Sequence, residues 1–237
     1  ERNLPPPYRL KAFALSEVLI TLVIIGVIAA ITVPNIIQSS QDKEFHSALK
    51  KNISVIENAF SLAQIDEGLM GDNTAIFVPS GAQDCHYKTA KRLANYLNVI
   101  KVCKSKDDDG CSDVYYNVKF SSKQFHNGYT SFNFARIVLA DGAIYDVEQK
   151  DRCDGYYTSC VTDQYGNCKK DENGNNIPTT IHQPECGYIR IDVNGTKGPN
   201  KFGKDIFWLS IYKDNIGLNL GYPFGWTASR DIITGKI

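Results

Sequence analysis

The sequence predicts an α+β protein: a long N-terminal helix, membrane-directed in its first half, packed in its second half on an antiparallel sheet. Three observations predict this. Residues 13–33 carry one charged side chain, Glu17. Residues 45–63 repeat apolar side chains at steps of three and four, the period of one helix face. From about residue 130 onward, short apolar-alternating runs are separated by Asp- and Asn-rich turns, the pattern of hairpins.

Composition sets the class. With 43% hydrophobic and 22% charged residues, the 237-residue chain has the make-up of a folded protein rather than a disordered one. Its formal net charge is zero, so no basic excess points to nucleic acid as a partner. The first twelve residues differ from the remainder. They hold Arg2, Arg9 and Lys11 against Glu1, whereas the rest of the chain is mildly acidic.

The segment from Phe13 to Val33 would span roughly 32 Å as a helix, matching a hydrocarbon core of about 30 Å. Arg9 and Lys11 precede it, so residues 1–12 are expected in the cytoplasm and the rest outside. Three readings compete. A cleaved secretory signal, cut near Ala29-Ala30, has a shorter apolar core and no carboxylate within it. A plain signal anchor explains the length but leaves Glu17 without a use. A carboxylate inside a bilayer helix costs about 2.5–3.5 kcal/mol and calls for a partner.

The third reading rests on a motif. Lys11-Ala12-Phe13-Ala14-Leu15-Ser16-Glu17-Val18-Leu19-Ile20-Thr21-Leu22, continuing through Gly26 to Pro34, resembles the cleavage and methylation motif of type IV prepilins and type II secretion pseudopilins. The resemblance implies cleavage between Ala12 and Phe13 by a prepilin peptidase, methylation of Phe13, and assembly through Phe13 and Glu17. Ala12 departs from the family's more common glycine, and Ser16 from its usual apolar residue or alanine. The implied organisation is a leader over 1–12, a helix over 13–67 whose 13–34 half lies in the membrane or filament core, and an extracytoplasmic head over 68–237. The implied partners are other pilin or pseudopilin subunits, the peptidase, the assembly machinery and the bacterial inner membrane, crossed once.

Beyond Pro34, Phe45, Leu49, Ile53, Ile56, Phe60 and Ala63 form one helix face, which ends near Glu67-Gly68. Thr89–Ile100 reads as a second helix. Residues 130–148 read as a hairpin turning at Asp141-Gly142. Tyr188–Val193, Asp205–Tyr212 and Ile216–Leu220 read as further strands, and residues 149–186 as a cysteine-rich loop. The resemblance implies the same pilin-like layout of helix and sheet.

Seven cysteines, Cys85, Cys103, Cys111, Cys153, Cys160, Cys168 and Cys186, lie beyond the apolar segment without any C-x-x-C pair. Disulfides in an oxidising compartment are the expected use. One thiol must stay over, and about 105 arrangements are open. Cys103 and Cys111, flanking a polar turn, are placed to close a small loop.

The remaining polar residues bear on metal and catalytic chemistry. Asp192, Asn194 and Asp205 could offer oxygens to Ca²⁺, a hard ion, and some pseudopilins hold calcium in a C-terminal loop. Gly195 arrives too soon for an EF-hand, and an Asx-stabilised turn explains the same residues. Asp163, Asn167, Asp171 and Asn173 form a weaker set of the same kind. His46, His86, His126 and His182 are scattered. No G-x-S-x-G, H-E-x-x-H or P-loop is present, so no enzyme is expected. Tyr222, Phe224 and Trp226 read as a packed tail or a binding edge. The expected function is a structural subunit, major or minor, of a type IV pilus or secretion pseudopilus. A membrane-tethered adhesin-like module is the alternative.

Overall fold

Helix α1 runs Leu15–Asp66, with Pro34 inside it. The computed structural model describes residues 15–79, 81–119, 129–130, 134–164 and 167–218. The chain divides into two units, one ending at Glu44 and a head beginning at Phe45. In the first unit nearly every α1 side chain is exposed, and the apolar window has a mean hydropathy of 2.5. That length and composition suffice to cross a membrane, a property shared with signal sequences.

In the head, the rest of α1 buries Phe45, Leu49, Asn52, Ile56, Ala59, Phe60 and Ala63. These recur at steps of three and four, so they form one stripe against the sheet. Helix α2, Cys85–Ala94, adds Ala90 and Leu93 to the same core.

The main sheet has six strands: β1 (Val99–Cys103), β4 (Ala135–Leu139), β5 (Ile144–Gln149), β8 (Glu185–Asp192), β9 (Ile206–Tyr212) and β10 (Ile216–Leu218), adjacent in that order and antiparallel throughout. The two-stranded pair β2 (Val118–Lys119) and β3 (Tyr129–Thr130) lies apart from it, as does the ribbon of β6 (Gly155–Cys160) and β7 (Pro178–Gln183). The layout is α+β, as the sequence predicts.

Side chains alternate across the sheet. Ile137, Tyr145, Val147, Ile189, Ile191, Phe207, Leu209 and Ile211 join α1 in one apolar core. A polar contact crosses it: the Tyr145 hydroxyl donates to Asn52 Oδ1 at 2.6 Å. Asn52 in turn donates to the Ala48 carbonyl.

The opposite face is also covered, and it is charged. Arg136 faces Asp146, Asp146 faces Arg190, and Arg190 faces Trp208, in register across four strands. Arg190 donates to both Asp146 and Glu148, and Arg136 donates to the Val114 carbonyl. Rings pack on the guanidiniums: Trp208 and Phe134 lie 4.2 and 4.9 Å from Arg190, Tyr115 and Tyr116 4.8 and 4.9 Å from Arg136. Planar guanidiniums suit such stacking.

Several boundaries differ from expectation. The second helix starts at Cys85 and ends at Ala94, and Val99–Cys103 is an edge strand. The β-branched Val99, Ile100 and Val102 favour that strand over continued helix. The hairpin begins at Ala135, and Thr130 pairs instead with Val118. Its turn falls at Asp141-Gly142, where Gly142 takes φ +92° and the Asp141 side chain accepts from Ala143 N. The region 149–186 contains the β6–β7 ribbon, which carries apolar and aromatic residues on exposed faces and so shows no core-facing alternation. The last strand is described only to Leu218.

Two substitutions weigh the two faces. Asp146→Ala leaves Arg136 and Arg190 buried with a partner removed and is expected to cost about 3–5 kcal/mol in urea denaturation. Tyr145→Phe strips one hydrogen bond from Asn52 and is expected to cost about 1–3 kcal/mol.

Candidate functional site

Glu17 is the only charged residue of α1 before Asp42, in its first turn. An acidic side chain there complements the positive end of the helix dipole. The helix around it presents Leu15, Leu19, Ile20, Leu22 and Val23 to its surroundings. Thr21 and Thr32 donate their hydroxyls to the carbonyls of Val18 and Ile28, which hides their polarity within the helix. Ala12 and Phe13, the expected processing residues, lie outside the described residues.

The cysteines pair as Cys103–Cys111, Cys153–Cys186 and Cys160–Cys168, leaving Cys85 as a half-buried thiol. The expected small loop between Cys103 and Cys111 is present. Inside it, the Asp108 carboxylate accepts from the backbone N–H of Lys104 and Ser105, which holds it below the usual carboxylate range despite some opposing desolvation. The other two bridges staple the ribbon, Cys153–Cys186 at its root and Cys160–Cys168 at its far end. A two-stranded hairpin is marginal alone in water, so the staples supply order that packing does not.

Cys85 and His86 do not form a nucleophile pair. The thiol lies 3.8 Å from His86 Nδ1, but that nitrogen accepts the Gln149 N–H at 3.0 Å. Burial lowers the His86 pKa, against the opposing charges of Glu148, Asp146 and Asp151. His182 bonds Asp154 at 2.8 Å, and Cys186 is in a disulfide, so the two do not combine as metal ligands. His126 lies outside the described residues, as do Tyr222, Phe224 and Trp226.

Asp192, Asn194 and Asp205 are brought together where β8 leads into β9. Asp192 accepts from the Tyr116 hydroxyl at 2.5 Å and from Asn194 N at 3.2 Å. Asp205 accepts from Asn200 N and Lys201 N at 2.8 and 2.7 Å. Each carboxylate thus has N–H or O–H donors, the chemistry of an Asx-stabilised turn. The oxygens a hard cation could use there are these carboxylates and the buried Oδ1 atoms of Asn194 and Asn200, which accept no hydrogen bond from the described residues. Among the described residues, no group of three or more His, Cys, Asp or Glu converges to hold a metal. In the ribbon, Asp163 accepts from Asn167 N, and Asp171 from Asn173 N and Asn175 N, turn geometry again.

The sequence reading missed a recess of about 560 Å³ beside the Cys153–Cys186 bridge, lined by Phe77, Pro79, Arg92, Lys150 and Arg152 among others. Its cations bond the protein's own oxygens: Arg92 the Phe77 carbonyl and Glu67, Lys150 Glu148, and Arg152 the Tyr156 carbonyl. No sequence signal marks it, because its walls come from four separate stretches of chain.

Comparison with known proteins identifies no relative: no family model, curated protein or solved structure matches the chain.

The disulfide pattern has a direct readout. Peptide mapping under non-reducing conditions is expected to yield the three linked pairs above, with one alkylatable thiol at Cys85 after denaturation. Any linked peptide containing Cys85 within one chain would contradict the pattern.

Proposed function

We propose that the chain is a pilin-like subunit, held in a membrane by the first half of α1 and assembled into an extracytoplasmic filament of a pilus or secretion pseudopilus. The observation that carries this reading is the long, exposed apolar first half of α1, whose single charge before Asp42, Glu17, lies in its first turn. The motif around it, from Lys11 to Pro34, resembles prepilins and supplies the processing point.

The physical case is about charge in hydrocarbon. Trimming before Phe13 creates an ammonium at the helix start, and Glu17 supplies a carboxylate one turn on. In an apolar environment each ion favours an opposite charge nearby. A neighbouring subunit's ammonium against Glu17 satisfies both and fixes the axial register between helices, as single buried polar residues do in coiled coils. The apolar remainder packs on lipid before assembly and on sister helices after it. Three disulfides in the head agree with an oxidising compartment on the far side of the membrane.

The alternative is a monomeric binding module on an uncleaved anchor, for which Glu17 is a cost without a return. Two measurements separate them. The N-terminus of the membrane-extracted protein, from cells holding a prepilin peptidase, is expected at Phe13 and one methyl group heavier; retention of Arg9 and Lys11 sinks the subunit reading. Glu17→Ala is expected to leave membrane levels unchanged while filament incorporation falls at least about tenfold, the loss of roughly 1.4 kcal/mol of pairing. Equal incorporation of the variant favours the anchored module.

A further inference from the structure

We propose that the recess beside the Cys153–Cys186 bridge is a binding site for a small organic monoanion, an apolar ring or short chain carrying one carboxylate, seated with that carboxylate at Arg152.

The walls are apolar and held in place. At about 560 Å³ the recess falls within the range of sites that take small molecules. Phe77, Val78, Pro79 and the Cys153–Cys186 bridge give it apolar surface. Buried Gln149 clamps Val78, accepting its N–H at 3.2 Å and donating to its carbonyl at 2.7 Å. Arg92 donates to the Phe77 carbonyl at 2.7 Å. The Phe77 ring lies against Gly187, where a Cβ would stand 2.8 Å from Phe77 Cε1. Walls fixed before the ligand arrives lose less conformational freedom on binding.

The charges select the ligand. Three cations, Arg92, Lys150 and Arg152, line the recess against two carboxylates, Glu67 and Asp151, a net charge of +1. Two of the cations have carboxylate partners: Arg92 pairs with Glu67 at 2.9 Å and Lys150 with Glu148 at 2.5 Å. Arg152 is exposed and donates to the Tyr156 carbonyl, a neutral acceptor, so that bond leaves its charge uncancelled. Its stem is seated on Gly155, where a Cβ would stand 2.9 Å from Arg152 Cβ. A guanidinium has five N–H donors in a planar fork, so a bond to one carbonyl leaves donors for a carboxylate. One uncancelled cation beside apolar walls suits one negative charge on an apolar body. A dianion such as phosphate would face Glu67 and Asp151 and leave the apolar walls unused.

The test is a titration of the full chain in maltoside detergent with 4-(trifluoromethyl)phenylacetate, followed by ¹⁹F NMR against the same detergent without protein. Saturable binding with a Kd of about 1 mM is expected, the range for a ligand of this size. The corresponding uncharged amide is expected to bind at least about tenfold more weakly, and so is the carboxylate to Arg152→Gln. Lys170→Gln, which removes an exposed cation between β6 and β7 and outside the recess, is expected to leave binding unchanged. A second readout locates the ligand. With the probe at about ten times its Kd, reduction of Cys153–Cys186 by a phosphine is expected to slow about tenfold, while Cys160–Cys168 keeps its rate. Absence of saturation, equal binding of acid and amide, equal losses in Arg152→Gln and Lys170→Gln, or unchanged reduction of Cys153–Cys186 each overturns the site.

Discussion

The row Arg136–Asp146–Arg190–Trp208 is the constraint on which the rest of the head depends. Its members stand in register across β4, β5, β8 and β9, so a one-residue slip in any pair would bury an arginine against apolar neighbours. An apolar face tolerates exchange of one aliphatic residue for another at modest cost. A buried ionic row tolerates little, since removing one member leaves an uncompensated charge. The row also dictates what covers it. Guanidinium planes demand rings and carbonyls, and the segment from Cys111 to Val118 supplies Tyr115, Tyr116 and the Val114 carbonyl. That segment is in turn set by the Cys103–Cys111 bridge at its start, so the disulfide and the ion row define one another's place.

How much of this was legible in the sequence depends on the face. The apolar face could be read directly: the stripe from Phe45 to Ala63 and the alternating strands after Ala135 are the core. Asn52 was missed, though it stands three residues after Leu49 and four before Ile56 and so lies on the stripe. The charged face was not legible, because Arg and Asp alternating with Ile and Val look the same whether the polar side meets water or a second layer. One clue was present. With the turn fixed at Asp141-Gly142, Arg136 and Asp146 fall opposite each other, a pair of opposite sign. The ribbon was illegible for another reason: both its faces are largely exposed, so no burial period marks it, and the cysteines that order it do not reveal their pairing.

The candidate assembly residues and the candidate turn differed in the same way. Glu17 stands out because a lone charge among apolar residues breaks a uniform background. Asp192, Asn194 and Asp205 sit among other Asp, Asn and Gly residues, and their spacing alone did not separate a turn from a cation site. What the structure adds is the supply of donors. The carboxylates meet the Tyr116 hydroxyl and three backbone N–H groups, and Tyr116 arrives from a segment more than seventy residues away in sequence. No local pattern carries such a contact.

Glu17 and the head's buried carboxylates pose one physical problem with different solutions. A carboxylate removed from water needs a cation, a set of donors or a proton. Asp146 has cations, in two arginines on adjacent strands. Asp205 has backbone donors, and Asp192 has a hydroxyl and a backbone N–H. All of these are supplied within the head. The first half of α1 differs: its apolar side chains are exposed, and its length and composition suffice to cross a membrane. In the proposed filament, the register of that helix is set by the neighbour it meets.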